Sequence, residues 1–415
     1  MHNPHVAVVG AGIIGLATAY HLTTRGARVT VVDRDPEGDK ASYGNAGGIA
    51  VTEVVPAATP RVFLRVPGWL LDPLGPLAIR PAHAIRLIPW LLRFGRSSER
   101  GEFERISRAL AALNARIYDD LIPMLRATGL FSELRQNGAL SVYETEAGYL
   151  RDAQEWQCKR SLGVVVEEMT GNDARLLEPS LGPLVQRAVL TPQWSHVSDP
   201  KRIVQGIRSW LVANGVTIRT GHVSNIVSGS AASLCIQLDG GEELPADKAV
   251  NAAGAWSGIL ARRIGDRALL ESERGYNATL PNPNVEIQRQ LIFAERKFVA
   301  TPLSCGLRIG GAAEFGGLAA APNFKRSQTL VALAQRYLPK LDTRGATNWA
   351  GHRPATPDGL PVIGYSPTQA NVIHAFGHGH LGLTQAATTG RLVAELVYQQ
   401  PASIDLEPFS ISRFR

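Results

Sequence analysis

A short apolar run of β-forming residues, His5–Val9, opens the pattern and predicts a strand. Ala17, Tyr20 and Leu22 then fall at helical spacing and predict a helix over 16–25, ended by Gly26. Residues 28–33, Arg-Val-Thr-Val-Val-Asp, predict a second strand that stops on an acid. Further along, 102–128 reads as helical and 138–145 as a strand. Asp199-Pro200 opens a helix running to Asn214, with Asp199 as its N-cap. Strands follow at 216–219 and 223–227, and 234–238 with 243–244 predicts a hairpin. Residues 248–257 predict a buried strand running into a Gly-containing turn and helix. Segments 285–294, 297–300 and 307–311 predict an antiparallel sheet distinct from a parallel one. A strand at 372–376 and a helix at 384–398 complete the pattern.

Between the first strand and helix stand Gly10-Ala11-Gly12-Ile13-Ile14-Gly15. Strand, glycine-rich turn, helix, strand and terminal acid form the context that a dinucleotide-binding fingerprint requires. Gly10 permits the tight turn, and Gly12 lets backbone N–H groups approach a pyrophosphate at a helix N-terminus. Gly15 allows the helix to pack close to the sheet. Asp33 can accept both ribose hydroxyls and disfavours a 2′-phosphate, which selects FAD or NAD over NADP. A glycine-rich turn that binds nothing is the bland alternative, and the combined context weighs against it.

Composition narrows the class. Of 415 residues 45% are apolar and 19% charged, which is globular and excludes disorder, collagen and coiled coil. The net charge of +7 is spread out, without a Lys/Arg run or an aromatic-basic repeat, so nucleic acid is not an expected partner. Cys158, Cys235 and Cys305 fit no zinc, redox-pair or disulfide spacing; no metal is expected, and a reducing, cytoplasmic setting is. No stretch approaches the ~18 uncharged apolar residues of a spanning helix. Residues 6–22 lack the basic flank and cleavage site of a signal peptide.

The chain does not continue directly as βαβαβ after Asp33. Ala41-Ser42-Tyr43-Gly44-Asn45-Ala46-Gly47-Gly48-Ile49 is a loop of small residues that lets backbone pass close to a flat ring or a phosphate. Asn251-Ala252-Ala253-Gly254-Ala255-Trp256-Ser257 marks a second close approach, and Gly377-His378-Gly379-His380-Leu381-Gly382 a strand-to-helix turn near the far end. Nucleotide-binding turns at both ends of the chain that meet on one ligand favour a long one, FAD, over NAD.

These segments, with Arg274-Gly275-Tyr276, Arg308-Ile309-Gly310-Gly311 and Gly351-His352-Arg353-Pro354 followed by 357–364, carry a resemblance over nearly the whole length. The chain resembles the FAD-dependent D-amino-acid dehydrogenases, within the family of D-amino-acid oxidase, glycine oxidase and sarcosine oxidase. The resemblance implies an α/β (α+β composite) protein. A Rossmann-type FAD-binding domain (1–60, 190–268, 345–400) interleaves with a substrate-binding domain carrying the antiparallel sheet (61–189, 269–344), and 401–415 is a C-terminal tail. The expected cofactor contacts are Gly10, Gly12, Ile13, Ile14, Gly15, Asp33, Arg34, Ser42, Asn45, Ala46, Gly47, Gly48, Ile49, Val223, Ala253, Gly254, Trp256, Gly379, His380, Leu381 and Gly382. The 42–48 loop has no Cys or His, so the FAD is expected to be non-covalent.

Oxidising an amino acid at its α-carbon needs a grip on the carboxylate, and only guanidinium offers a planar bidentate fork. Arg353 occupies the arginine of the family's Gly-x-Arg-Pro motif and is expected to hold it. Arg308 is the runner-up, with a structural ion pair as its alternative. Tyr276 is either a phenol donor to the carboxylate or an aromatic core residue. His380 either lines the pocket, assisting proton transfer, or is a polar residue near the turn. The role of His378 stays open.

The implied activity is oxidative deamination of a D-amino acid, including a cyclic D-imino acid such as hydroxy-D-proline. The electrons pass to a quinone or other acceptor such as an electron-transfer protein. A sarcosine- or glycine-type oxidase using oxygen, and the FAD subunit of a multi-subunit complex, are the alternatives. Residues 62–94 mix Trp69, Leu70, Leu71, Trp90, Leu91 and Leu92 with Arg65, Arg80, Arg86 and Arg93, the composition of an interfacial anchor. Their prolines argue against one long helix, and the segment is expected either to lie on the inner face of the membrane or to be ordinary core.

Overall fold

The computed structural model describes residues 3–59, 66, 68–70, 72, 75–229 and 233–415. Among them, six strands form one sheet in the order Thr217–Thr220, Arg28–Asp33, His5–Val9, Lys248–Asn251, Val372–Phe376 and Val362–Tyr365. All neighbours run parallel except the last pair. A parallel sheet is covered on both faces, so its strands read as continuous apolar runs; His5–Val9 and Val372–Phe376 are buried throughout. Helix Ile13–Thr23 and helix Gly382–Val397 pack together against one face. The antiparallel meander Val223–Ser228, Leu234–Leu238, Glu243–Ala246 lies over the other.

A second sheet of nine strands among the described residues takes its length from Glu271–Leu280 and Gly306–Phe315, flanked by Thr347–Ala355 and Phe298–Leu303. It is mixed rather than purely antiparallel: Gln290–Phe293 pairs parallel with Ala139–Tyr143, and Leu77–Ile79 parallel with the end of Gly306–Phe315. Its core of Phe293, Phe298, Ile309 and Tyr337 packs on helix Lys325–Tyr337. Strand 347–355, grouped by the sequence with the FAD domain, hydrogen-bonds here as the edge of this sheet.

Other elements depart from the pattern. The helical sequence expected at 102–128 forms two helices, Arg100–Asn114 and Ile117–Ala127. The long strand expected at 285–294 is only Gln290–Phe293. Pro89 does not stop a helix: Pro81–Arg96 is continuous, with Pro81 in the first turn, where proline is preorganised. This helix divides the residues read as an interfacial anchor. Leu87 and Trp90 are buried, and Trp90 Nε1 donates to Ala355 O at 3.1 Å, whereas Ile85, Ile88 and Leu92 are exposed. Residues 62–65, 67, 71, 73 and 74 of that segment, Arg65 and Leu71 among them, lie outside the described residues. Among the described residues no helix is long and apolar enough to cross a membrane. The last residues are not a loose tail: Phe409, Ile411 and Phe414 are buried, and Arg413 pairs with buried Asp358 at 2.8 Å.

Candidate active site

Three turns converge at the C-terminal ends of adjacent parallel strands, where open α/β sheets bind ligands. In the first, Gly10 has φ +112° and a Cβ there would lie 2.4 Å from Ala252 O. A Cβ on Gly15 would lie 1.9 Å from Gly10 O, so only glycine allows the helix this close to the strand. Ser42 Oγ accepts from Ile13 N at 3.1 Å and ties the small-residue loop to the helix N-terminus. Asp33 Oδ2 accepts from Ala11 N at 2.7 Å, and Lys40 Nζ lies 3.3 Å from Oδ1. The acid is thereby fixed beside the glycine turn.

One cavity of about 1310 Å³ joins these turns to the nine-stranded sheet. Drug-sized ligands fill roughly 300–1,000 Å³, so there is room for a dinucleotide with a small substrate beside it. Of the expected cofactor residues, Gly10, Gly12, Ile13, Ile14, Asp33, Arg34, Ser42, Asn45, Ala46, Gly48, Val223, Ala253, Gly254, Trp256, Gly379, His380, Leu381 and Gly382 all line it. The cradle fits FAD. A Cβ at Gly12 would meet nothing nearer than Ser42 Oγ at 3.7 Å, and one at Gly254 or Gly379 nothing within 4 Å, so backbone stands open to a ligand there. The Arg34 guanidinium lies 3.7 Å over the Trp256 ring, making a flat platform in the cavity wall.

At the other end Arg353 lines the cavity, its side chain 27% exposed. Its Nη1 donates to Glu273 Oε1 at 2.8 Å and to Ala312 O at 3.0 Å. Glu273 is its cross-strand partner in register. A bulge between Arg274 and Tyr276 leaves Ala312 at φ +55°, a left-handed conformation costing about 1–3 kcal/mol, where its carbonyl meets the guanidinium. Gly275 makes the space: a Cβ there would lie 2.4 Å from Arg353 Cζ and Nη2. The Tyr276 ring also lines the cavity, but its hydroxyl is turned away, donating to Glu314 Oε2 at 3.1 Å and accepting from Asn323 N.

Histidines and carboxylates fill the remaining wall. His378 is buried, its Nε2 paired with Thr389 Oγ1 at 2.9 Å, while its Nδ1 has no partner among the described residues. Burial pushes its pKa down to about 3. His352 is held to about 4 by burial and by Arg274 and Arg34. His380 is exposed on the cavity wall. Glu53 and Glu155 both take Lys159 Nζ, at 3.0 and 3.2 Å. Against the pull of burial, Lys159 with His380 and Lys297 holds the Glu53 carboxyl below its usual range.

Four expected site residues do not reach the cavity wall. Arg308 donates to Thr279 Oγ1, Tyr43 O and Asn45 O, which clamps the small-residue loop from behind. Gly15 faces Gly10, Ile49 is core, and Gly47, at φ +84°, turns the loop against Val197 and Leu303. The sequence reading missed Glu273, Glu53, Trp194, Gln290 and Lys297, all on the wall. Glu273 stood one residue before the Arg274-Gly275-Tyr276 motif, but only the register of two strands distant in sequence reveals its partner.

A model of the family described as DAO, FAD dependent oxidoreductase, matches residues 5–396. A D-amino-acid oxidase from Bradyrhizobium diazoefficiens is 34% identical over 422 residues, covering 99% of this chain and 99% of that protein. Glycine oxidase from Geobacillus kaustophilus has TM-score 0.75 and 23% identity, covering 99% of each chain. L-proline dehydrogenase from P. horikoshii has TM-score 0.74 and 17% identity, covering 100% of this chain and 98% of that one. These two structural likenesses show a shared fold.

Proposed function

The chain belongs to the DAO family of FAD-dependent oxidoreductases, and from that premise we propose that it oxidises a D-amino acid at the α-carbon. A cyclic D-imino acid such as hydroxy-D-proline falls within this class. One observation carries the reading: Arg353 opens on the same cavity as the three glycine turns, on a strand joined to the last of them through Gly379 N and Pro354 O at 2.8 Å. A guanidinium edge in that place binds a carboxylate by two parallel hydrogen bonds. It holds the α C–H in one orientation, and orientation supplies much of the rate in such a reaction.

Residues 10–15 with Asp33 would hold the adenosine and pyrophosphate portion, non-covalently. The backbone of 377–382, at the N-terminus of helix Gly382–Val397, would face the flavin's pyrimidine edge. Bound FAD supplies, at N5, the acceptor for the α-carbon hydride. The substrate also gives up one ammonium proton, to His380 or water, and leaves as a protonated imine, which water converts to a keto acid and ammonia. His380 and the ring of Tyr276 close the substrate end, and Arg308 acts by holding the 43–45 loop.

For the electron acceptor the reading is a dehydrogenase that passes electrons to a quinone or an electron-transfer protein. Exposed Ile85, Ile88 and Leu92 beside Arg86, Arg93 and Arg96 support a peripheral contact with the inner face of the membrane. The oxidase reading has its own support in the 34% identity to a protein named D-amino-acid oxidase. An anaerobic panel of D- and L-amino acids tests the first step: D-amino acids should bleach the flavin and L-enantiomers should not. Stopped-flow reoxidation then separates the acceptors. Fast peroxide formation with oxygen selects the oxidase; slow reaction with oxygen and fast reaction with a soluble quinone select the dehydrogenase.

A further inference from the structure

We propose that Glu273 accepts the substrate's ammonium group, so that the Arg353–Glu273 ion pair reads an α-amino acid as a zwitterion. This rests on Arg353 being the carboxylate site. The two side chains are cross-strand neighbours, both on the cavity wall, with Nη1 and Oε1 2.8 Å apart. An arginine that served a carboxylate alone would be weakened by this arrangement, because the incoming anion also meets the Glu273 charge. The same pair favours a ligand carrying both charges on neighbouring atoms. Carboxylate and ammonium share one carbon in an α-amino acid, so their partners must also be neighbours.

The other carboxylates on the wall are engaged elsewhere. Glu53 and Glu155 share Lys159, Asp33 takes the Ala11 amide, Asp35 takes the Gly38 amide, and Asp39 takes Trp349 Nε1. Glu273 uses Oε1 on Arg353, and its Oε2 has no partner among the described residues. The pair stays partly open, at 27% and 21% side-chain exposure, so a ligand that covers it must replace lost water with charge-assisted bonds. A zwitterion replaces it at both residues. An amine-free carboxylate does so only at Arg353, and leaves Glu273 desolvated beside a like charge.

Glu273→Gln tests this, because the amide oxygen still accepts from Arg353 Nη1 and keeps the guanidinium in place while the charge is lost. The probes are pairs differing only in the amine: D-proline with cyclopentanecarboxylate, D-alanine with propionate, and D-phenylalanine with 3-phenylpropionate. KM of each amino acid and inhibition by its partner are measured on FAD-loaded enzyme. In the Gln variant the amino-acid KM should rise at least about 10-fold, while the amine-free acid should bind several-fold tighter. Glu273→Asp, which keeps the charge, should retain the wild-type preference, and equal FAD content certifies that both variants fold. If both members of a pair shift in the same direction, or neither shifts, Glu273 is not the ammonium acceptor and Arg353 is unaffected. If no member of any pair binds the wild type, the amino-acid reading itself fails and takes this one with it.

Discussion

The amide of Gly379 donates to the carbonyl of Pro354 at 2.8 Å, and Ala355 bridges to His378 beside it. Through these contacts the arginine strand of one sheet and the cofactor turn of the other form a single piece of backbone. In the proposed reading, the spacing between the Arg353 strand and the flavin edge would therefore be set by main-chain geometry. Trp90, donating to Ala355 O, braces the same junction from outside.

Arg353→Lys should be far from conservative. Lysine places a point charge where two parallel hydrogen bonds are needed. The expected loss is about 1.5–3 kcal/mol of substrate binding, seen as a fall of one to two orders of magnitude in kcat/KM with FAD content unchanged. Steady-state kinetics on FAD-saturated enzyme decide it, and wild-type kinetics in the variant would remove Arg353 from the substrate.

Gly275→Ala should injure the reaction through the same arginine. The added Cβ falls 2.4 Å from Arg353 Cζ, and the guanidinium must move. A displacement of about 1 Å can cost roughly 100-fold in rate. The drop should appear in kcat/KM with thermal stability and FAD affinity near normal. If activity persists, the guanidinium position is not what orients the substrate.

Asp33→Ala should weaken FAD by about 1–3 kcal/mol, because a ribose loses its acceptor and the Ala11 amide its partner. Equilibrium titration of apoenzyme with FAD measures this. Acid precipitation of the wild type should release free FAD into the supernatant, as a non-covalent cofactor requires.

Much of the cofactor end was legible because backbone close approach demands glycine, and glycine is visible in a sequence. Gly10, Gly12, Gly15 and Asp33 stand where a strand–turn–helix–strand pattern requires them. At the proposed substrate end, Arg353, Tyr276 and His380 were named from the sequence and do line the cavity. Glu273 reaches the wall through strand register: it faces Arg353 across a pairing of residues 80 apart in the chain. Tyr276 and Arg308 show the complementary difficulty. Residue type suggested donors to a carboxylate, but Glu314 takes the hydroxyl and the carbonyls of Tyr43 and Asn45 take the guanidinium. The 62–94 segment left two readings open for a different reason. An amphipathic helix with one face on the core has the same composition as one lying on lipid.

Arg308→Met should separate cofactor from substrate effects. The change removes the donor to Tyr43 O and Asn45 O behind the small-residue loop. FAD affinity should fall by about 1–3 kcal/mol, while KM at saturating FAD stays near wild type. A raised KM with normal FAD binding would instead return Arg308 to the substrate.

Stability should decline on acidification from pH 7 to 5, before carboxylates titrate. Burial holds His378 at about 3 and His21, His196 and His352 at about 4, helped by nearby Arg25 and Arg391, by Arg135, and by Arg274 and Arg34 respectively. In the unfolded chain each returns to about 6.5. Below that pH the unfolded state binds more protons than the native one, so unfolding becomes easier as pH falls. Each histidine adds up to about 1.4 kcal/mol per pH unit until its folded-state value is reached. The depressed carboxylates, Glu53 and Asp266 among them, act the same way only below their unfolded values near 4. Thermal unfolding of the FAD-loaded protein across pH 7.5 to 5 should therefore show a steadily falling Tm. His378→Gln should flatten part of that slope by removing the most deeply depressed group, at some cost in overall stability. A Tm that holds level to pH 5 would mean that these histidines take up protons in the native state, and that their surroundings are wetter than their burial indicates.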